Sequence, residues 1–330
     1  MSVFIFPAVV SAGVFLLAFF WGGLPAFLLV ALLAILETTL SFDNAVVNAK
    51  VLGRMDARWQ RRFLVWGIPV AVFGTRFVLP ILIVAAAAFL SPVEVAKLAF
   101  FDAQQYGVHL KDAHTAIAAF GSAFLLMVSL KFFFDERKTV HWIEIIERHL
   151  TRWGGIAAIE IIITLSVMLL CALLVPGETL TVLVAGVIGV VLFVVMEAVA
   201  QSFEVETDSA TGLAGAALFV YLNILDAAFS LDGVVGAFAI TSGLPVIIGG
   251  LGIGALFVRS FTVYLVRAKT LDTLVYIEHG AHWAIFGLAL SMMAGIFMHV
   301  PEAITGLIGL VFIVLAYISS HRERTRFAPR

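Results

Sequence analysis

"ETTLSFDNAVV", residues 37–47, interrupts a long apolar run with two carboxylates, a serine and an asparagine. The segment LPAFLLVALLAIL precedes it at 24–36, and apolar residues then continue to Lys50. A run of this length can cross a bilayer, which takes about 20 residues. The stretch therefore predicts a membrane-spanning helix with an acidic centre. Charge at that depth is costly, so its presence indicates a function.

The composition of the whole chain predicts a membrane protein. Of its 330 residues, 62% are hydrophobic and 13% are charged, whereas soluble domains carry about 25% charged residues. The apolar runs are continuous rather than alternating, which favours helices over barrel strands. We expect an all-α, polytopic transmembrane bundle in the cell (inner or plasma) membrane, with the lipid bilayer as a partner and no nucleic acid.

Hydropathy predicts about ten spans, near 3–21, 24–49, 63–90, 113–134, 155–175, 179–200, 214–240, 243–267, 281–298 and 300–318. Sixteen of the 20 Lys and Arg residues fall in loops on the side of the N-terminus. Only Lys97 and Lys111 fall in loops on the opposite side. Because basic residues accumulate on the cytoplasmic side of membrane proteins, we expect both termini to be cytoplasmic.

The chain also repeats itself. ETTLSFDNAV (37–46) resembles DAAFSLDGVV (226–235), GIPVAVFGTR (67–76) resembles GLGIGALFVR (250–259), and DAHTAIAAFGSAF (112–124) resembles GAHWAIFGLALSM (280–292). The matches divide the chain into 1–178, which includes a cytoplasmic loop at 135–153, and 179–330, which ends in a basic cytoplasmic tail. Each half has five spans, so the second would enter the membrane inverted. A 5+5 inverted repeat is typical of secondary transporters.

Six charged residues share the centre of the predicted bundle: Glu37, Asp43, Asp226, Asp232, Arg76 and Arg259. Their formal sum is −2, which a divalent cation would neutralise. The nearby donors are oxygen atoms, including those of Ser41 and Ser230, and oxygen donors suit Mg²⁺, Ca²⁺ or Mn²⁺. The two acids of one span would meet a single site only if the helix unwinds around SFDN and SLDG. The structural alternative is that the acids join helices through salt bridges to the two arginines.

Two further segments carry polar residues near the predicted cytoplasmic surface. In YIEHGAHW (276–283), Glu278 and His282 share one helix face, and His279 lies beside them. These residues, with His114 at the equivalent position of the first repeat, predict a gate or proton relay; the alternative is an interfacial belt. HWIEIIERHL (141–150) predicts a short interfacial helix, with Trp142, Ile143, Ile146 and Leu150 on the apolar face and Glu144, Glu147 and Arg148 elsewhere.

The paired motifs E-x-x-x-S-x-D-N-A in the second span and D-x-x-x-S-x-D in the seventh, with YIEHGAHWAI, resemble the TerC family of integral membrane proteins. The resemblance covers nearly the whole chain. It implies a role in metal-ion homeostasis, with manganese as the expected ion. By motif it assigns the metal site to Glu37, Asp43, Asn44, Asp226 and Asp232, with Ser41 and Ser230 nearby. Gly233 stands where the first repeat has Asn44, so a side-chain amide ligand would come from one repeat only.

These observations predict a transporter that exports a divalent cation by alternating access. The sequence contains no G-x-x-x-x-G-K-[ST] phosphate loop, so we expect coupling to protons rather than to a nucleotide. No permanently bound cofactor is expected. An aspartyl protease is disfavoured because the sequence lacks G-x-G-D, so we do not expect an enzyme. The alternatives are an exporter of an amino acid or other small solute, and a non-transporting scaffold or insertion factor.

Overall fold

The computed structural model describes residues 2–202, 212–241, 243–268, 273–298 and 300–327. Within those ranges the chain forms helices connected by short turns and contains no β-strand. The all-α prediction is confirmed.

The helices follow one another closely along the chain. A 3₁₀ turn at Ser2–Phe4 precedes the first α-helix, and a π-helical segment at Val70–Val78 joins α3 to α4. The α-helices are α1 Ile5–Leu40, α2 Phe42–Gly53, α3 Ala57–Pro69, α4 Leu79–Ala88, α5 Pro92–Phe101, α6 Ala103–Asp112, α7 His114–Phe133, α8 Glu144–Trp153, α9 Ile159–Leu174, α10 Thr179–Ser202, α11 Gly212–Ile240, α12 Leu244–Arg267, α13 Ile277–Gly295 and α14 Glu302–Phe327.

Helix α1 is a hairpin rather than one straight rod. Gly23 has φ 67° and ψ −161°, which no helix accommodates. The rings of Phe15 and Phe27 lie 5.3 Å apart, although twelve residues of straight helix would separate them by about 18 Å. The chain therefore turns back at Gly23 into two antiparallel arms, 5–22 and 24–40, which correspond to the first two predicted spans.

In the described ranges, five helices are by length and composition apolar enough to cross a membrane: α1, α7, and the stretches 179–199, 244–267 and 304–323 in α10, α12 and α14. Shorter apolar stretches lie at 73–86, 159–174 and 214–230. These helices fit a membrane protein. The ten spans and the 5+5 repeat stay predictions.

The helices differ in how deeply they are buried. Most residues of α7 and α12 are enclosed by other helices, whereas only a minority of the residues in the spans of α1, α10 and α14 are buried. Helix α12 packs against α1, and α7 packs against both α10 and α13. Close packing is possible because small residues lie at the contacts, as Gly250 does against Leu33. The polar residues of α2 and α11 are thus enclosed at the centre of the molecule.

The helix is interrupted much less than predicted at the two acidic motifs. In the first motif only Ser41 departs from helical geometry, with φ −99° and ψ 17°, and its N–H still donates to the carbonyl of Glu37 at 3.0 Å. In the second motif α11 continues through SLDG without a break. The unwinding that would let both acids of the second motif reach one site is therefore absent, because α11 is helical from Gly212 to Ile240.

Candidate functional site

Glu37 lies at the centre of the buried polar cluster. It occupies the last turn of α1 and is 2% exposed. Its Oε1 accepts a hydrogen bond from the Ser41 hydroxyl at 3.0 Å and forms an ion pair with the Arg76 guanidinium. Ser41 reaches it because the two residues are one helical turn apart. The carboxylate is therefore neutralised on one oxygen by a neighbour from the third predicted span.

The π-helical segment Val70–Val78 positions Arg76. The Nη1 of Arg76 donates to the carbonyl of Ala71 at 2.8 Å. The wide turn of the π-helix leaves this carbonyl available to a side chain. The same Nη1 lies 3.9 Å from Oδ2 of Asp226. Arg76 thus lies between acids of the two predicted repeats, Glu37 and Asp226.

Asp226, on α11, is held by three partners. Besides Arg76, its Oδ1 accepts from the Asn44 amide at 3.1 Å, and its Oδ2 lies 3.5 Å from Arg259 Nη2. Arg259 is fixed in turn by the Phe63 ring, 4.3 Å below its guanidinium. It also packs against Gly67, where any Cβ would overlap the guanidinium. The predicted pairing of both arginines with carboxylates is confirmed for Glu37 and Asp226.

Asp43 differs from these two acids because it has no ion-pair partner in the described part of the chain. It is 3% exposed, and its Oδ1 accepts a hydrogen bond from the backbone N–H of Asn44 at 2.9 Å. Burial of a carboxylate without a compensating charge is costly. Of the three described acids Glu37, Asp43 and Asp226, Asp43 is therefore the one at which a cation or a proton would give the largest stabilisation.

Glu37 and Asp43 face the same small cavity. It has a volume of about 20 Å³, and its polar and glycine lining is Glu37, Ser41, Asp43, Gly233, Thr305 and Gly309. Such a volume holds about one water-sized particle. Gly233, Gly254 and Gly309 let their helices approach the acids, since a Cβ at Gly233 would lie 2.9 Å from Glu37 Oε2. Glu37, at the end of α1, and Asp43, at the start of α2, thus meet at one point across the local break at Ser41, without further unwinding of the helix.

The predicted five-residue metal set is not assembled at this cavity. Asn44 and Asp226 bond to each other outside the lining, and the side chain of Asp232 lies outside the described atoms. Among the described residues, no group of three or more His, Cys, Asp or Glu side chains is arranged to hold a metal ion. On α2 and α11, three buried side-chain oxygens in the described residues nevertheless lack hydrogen-bond partners: Asn44 Oδ1, Asn48 Oδ1 and Ser230 Oγ. Asn48 was not singled out from the sequence, although it lies one turn beyond Asn44.

A larger, open cavity of about 770 Å³ lies at the predicted cytoplasmic end of the same helices. We call it the vestibule. Val47, one turn from Asp43 on α2, is part of its wall, so the small cavity lies about 6 Å from it along the helix axis. Lys131 bridges Glu197 at 2.9 Å and Glu160 at 3.5 Å, and Lys50 pairs with Glu278. Of the predicted gate residues, Glu278 and His282 line the vestibule.

His279 contacts a different partner, Glu147 of α8. Its Nδ1 lies 2.7 Å from Glu147 Oε2, Lys138 Nζ lies 3.0 Å from the same oxygen, and Trp283 donates to Glu147 Oε1 at 2.9 Å. Burial would raise the pKa of Glu147, but His279, Trp283 and Lys138 outweigh it and hold that pKa well below its usual range. The assignment of Glu147 to the polar side of an interfacial helix is wrong, because this carboxylate is fully buried.

His114 lies apart from the other predicted gate residues. It begins α7, beside Gly295 at the end of α13. Phe132, near the other end of α7, stacks on His282 at 3.8 Å. Nineteen or so residues of helix separate these ends by about 30 Å. The structure therefore does not bring His114 together with Glu278, His279 and His282.

Comparison with known proteins places the chain in a family. No curated protein and no solved structure matches it. A family model described as "Protein of unknown function (DUF475)" matches residues 42–326, which include α2 and all later helices as far as the last turn of α14. A match over more than four-fifths of the chain shows membership, and the protein therefore belongs to the DUF475 family.

Proposed function

We propose that this protein is an integral membrane transporter that exports a divalent metal cation, with manganese as the expected ion. The observation that carries the proposal is the convergence of Glu37, Ser41 and Asp43 on one buried cavity. In this proposal the ion binds to the oxygen atoms of these side chains. Asp232, Ser230, Asn44 and Asp226 belong to the supporting shell or to a second state of the site.

Charge supports a divalent ion. The pairs Glu37–Arg76 and Asp226–Arg259 are each neutral. Asp43 and Asp232 then contribute the remaining charge of −2 when both are ionised. One divalent cation balances this charge, and two protons balance it equally well, since buried carboxylates readily protonate. The same two acids therefore suit an exchange of one cation for protons.

The size of the inner cavity favours an ion over an amino acid. The vestibule, at about 770 Å³, is large enough for either. The cavity at Glu37 and Asp43, at about 20 Å³, accommodates an occupant the size of a water molecule. A dehydrated metal ion fits that space, whereas an amino acid would require the helices around it to separate.

The path and the energy source follow from the same arrangement. A cation would enter from the vestibule, pass Val47 and reach Asp43 one turn deeper. A membrane potential that is negative inside opposes the export of a cation by about 2.3 kcal/mol per charge per 100 mV. Export therefore needs an energy source, and we expect it to be the entry of protons. Alternating access would then come from movement of one half of the proposed 5+5 inverted repeat against the other. The resemblance to the TerC family supports this assignment.

Transport by the purified protein in liposomes tests the proposal. We expect uptake of Mn²⁺ when the protein is present, with a smaller or absent response to Mg²⁺ and Ca²⁺, and a dependence on an imposed pH gradient. Asp43→Asn and Glu37→Gln should each reduce the rate by about 100-fold, because a neutral amide lowers both charge and ligand strength. Glu144→Gln, an exposed acid on α8, is the matched control.

Two results would contradict the proposal. If no divalent ion is moved but an amino acid is, the chain is a small-solute exporter. If nothing is moved and Asp43→Asn cells behave as wild type, the acids are structural and a scaffold or insertion role is favoured. Transport that ignores the pH gradient would refute only the coupling to protons.

A further inference from the structure

A third cavity, distinct from the small cavity at Glu37 and Asp43 and from the vestibule, lies where α2, α3 and α12 meet. It has a volume of about 500 Å³. Four apolar residues line it, Leu52, Val65, Val263 and Val266, of which Leu52 and Val263 are buried and Val65 is exposed. Its mouth carries two arginines, Arg61 and Arg267, which are both exposed. One cavity therefore combines a cationic entrance with a hydrocarbon interior.

The two arginines are available to an external anion. Neither has an ion-pair partner among the described residues, and no carboxylate lines the cavity. The acid nearest to Arg61 along the chain, Asp56, accepts a hydrogen bond from the Trp59 N–H at 2.8 Å as the N-cap of α3. Guanidinium groups bind phosphate oxygens in a bidentate manner. The mouth therefore suits a phosphate group.

The cavity wall is fixed by a hydrogen-bonded contact between α2 and α3. Gln60 Nε2 donates to the carbonyls of Met55 at 3.0 Å and Leu52 at 3.3 Å, which close the end of α2. This contact holds α3 beside α2 and leaves the face with Arg61 and Val65 turned toward α12. Arg267 is the last residue of α12, one of the helices long enough to cross a membrane. The arginines thus lie at the end of an apolar helix, where lipid head groups would be.

We propose that this cavity binds an anionic phospholipid, with its phosphate between Arg61 and Arg267 and the start of an acyl chain against the apolar wall. The occupant is inferred from charge complementarity at the mouth and the apolar surface behind it. A free phosphate would satisfy the arginines alone and leave the valines uncovered. Basic groups at the cytoplasmic surface attract anionic lipids in this way. The inference does not depend on the transported substrate.

Native mass spectrometry of the purified full-length protein, titrated with defined lipids, tests the inference. We expect phosphatidylglycerol to bind more tightly than phosphatidylcholine of the same chain length. Arg61→Gln combined with Arg267→Gln should weaken that binding by about 30-fold, since each basic group near a membrane surface adds about fivefold. Arg58→Gln with Arg152→Gln removes the same charge from exposed positions outside the cavity and should leave binding unchanged.

Further arms of the experiment separate the possible occupants. Glycerol phosphate, which has the head-group phosphate without acyl chains, should compete poorly at millimolar concentration. If it displaces the lipid fully, the cavity takes a small phosphate and the lipid proposal is overturned. Equal binding of both phospholipids, or an unchanged affinity in the Arg61/Arg267 variant, also overturns it. The variant with lysine at both positions keeps the charge and should retain most of the binding, which controls for folding.

Discussion

At the scale of single residues, burial of charge distinguishes positions that look alike in the sequence. Glu144 and Glu147 lie three residues apart on α8, yet Glu144 is exposed and Glu147 is fully enclosed. Glu147 accepts from the backbone N–H groups of Trp142 and Ile143 as well as from Trp283. A carboxylate with this many donors is stabilised in its ionised form. It joins the segment 135–153 to the start of α13.

Glu147→Gln should therefore destabilise the protein, whereas Glu144→Gln should not. Removing one charge of a buried pair leaves Lys138 without its partner and costs about 3 kcal/mol or more. An exposed pair such as Glu144–Arg148 contributes less than about 1 kcal/mol. Thermal unfolding in detergent measures the difference. Equal midpoints for the two variants would mean that Glu147 is solvated in solution.

The same carboxylate predicts a pH dependence of stability. The pKa of Glu147 is below the usual range in the folded protein. Ionised Glu147 therefore contributes fully to the free energy of unfolding at pH values above the pKa of an unfolded glutamate. That contribution is lost as the pH falls below that value toward the folded pKa. We expect wild type to lose stability relative to Glu147→Gln when the pH is lowered from 6 to 3. A constant difference over this range would contradict the assignment.

The chemistry of the acids was predictable from the sequence, but their partners were less so. Glu37, Asp43 and Asp226 stand out because charge is rare in apolar runs. The aligned Arg76 and Arg259 identified their counterions. Side-chain geometry decides which of these acids stays without an ion-pair partner. Part of that geometry is the π-helical segment that positions Arg76, and no residue pattern in the sequence indicated that segment. The burial of Glu147 was not predicted because a helical wheel describes a single helix, whereas His279, a partner of Glu147, lies on another helix.

At the scale of elements, glycine fixes the hairpin of α1. Gly23 has φ 67° and ψ −161°, a region open essentially only to glycine. Hydropathy predicted two spans here, near 3–21 and 24–49, but it did not identify the backbone conformation that joins them. In contrast, Gly233 lies within the continuous helix α11, where it serves close approach to Glu37 rather than a break. The same residue type thus has two uses that composition does not distinguish.

Gly23→Ala should destabilise the hairpin by about 1–3 kcal/mol, because alanine rarely adopts this backbone conformation. Gly13→Ala is the matched control, since a Cβ there meets no atom within 4 Å and alanine favours helix. Thermal unfolding of both variants in the same detergent gives the comparison. A Gly23→Ala variant as stable as Gly13→Ala would indicate that the arms 5–22 and 24–40 are joined by another geometry.

At the scale of the whole molecule, the distribution of basic residues predicts an orientation that can be tested directly. Lys97 is exposed on α5, on the side predicted to face outward. Glu144 is exposed on α8, on the side predicted to face the cytoplasm. The one native cysteine, Cys171, is buried. An impermeant thiol reagent should therefore give little background labelling in intact cells.

Lys97→Cys should be labelled in intact cells, and Glu144→Cys only after the membrane is permeabilised. The reason is that sixteen basic residues resist transfer across the membrane, and they accompany α8 and both termini. Wild type, with Cys171 alone, measures the background. Labelling of Glu144→Cys in intact cells would show that the protein has the opposite orientation to the one predicted. The vestibule would then open outward, and the proposed cation path would lead inward instead of out of the cell.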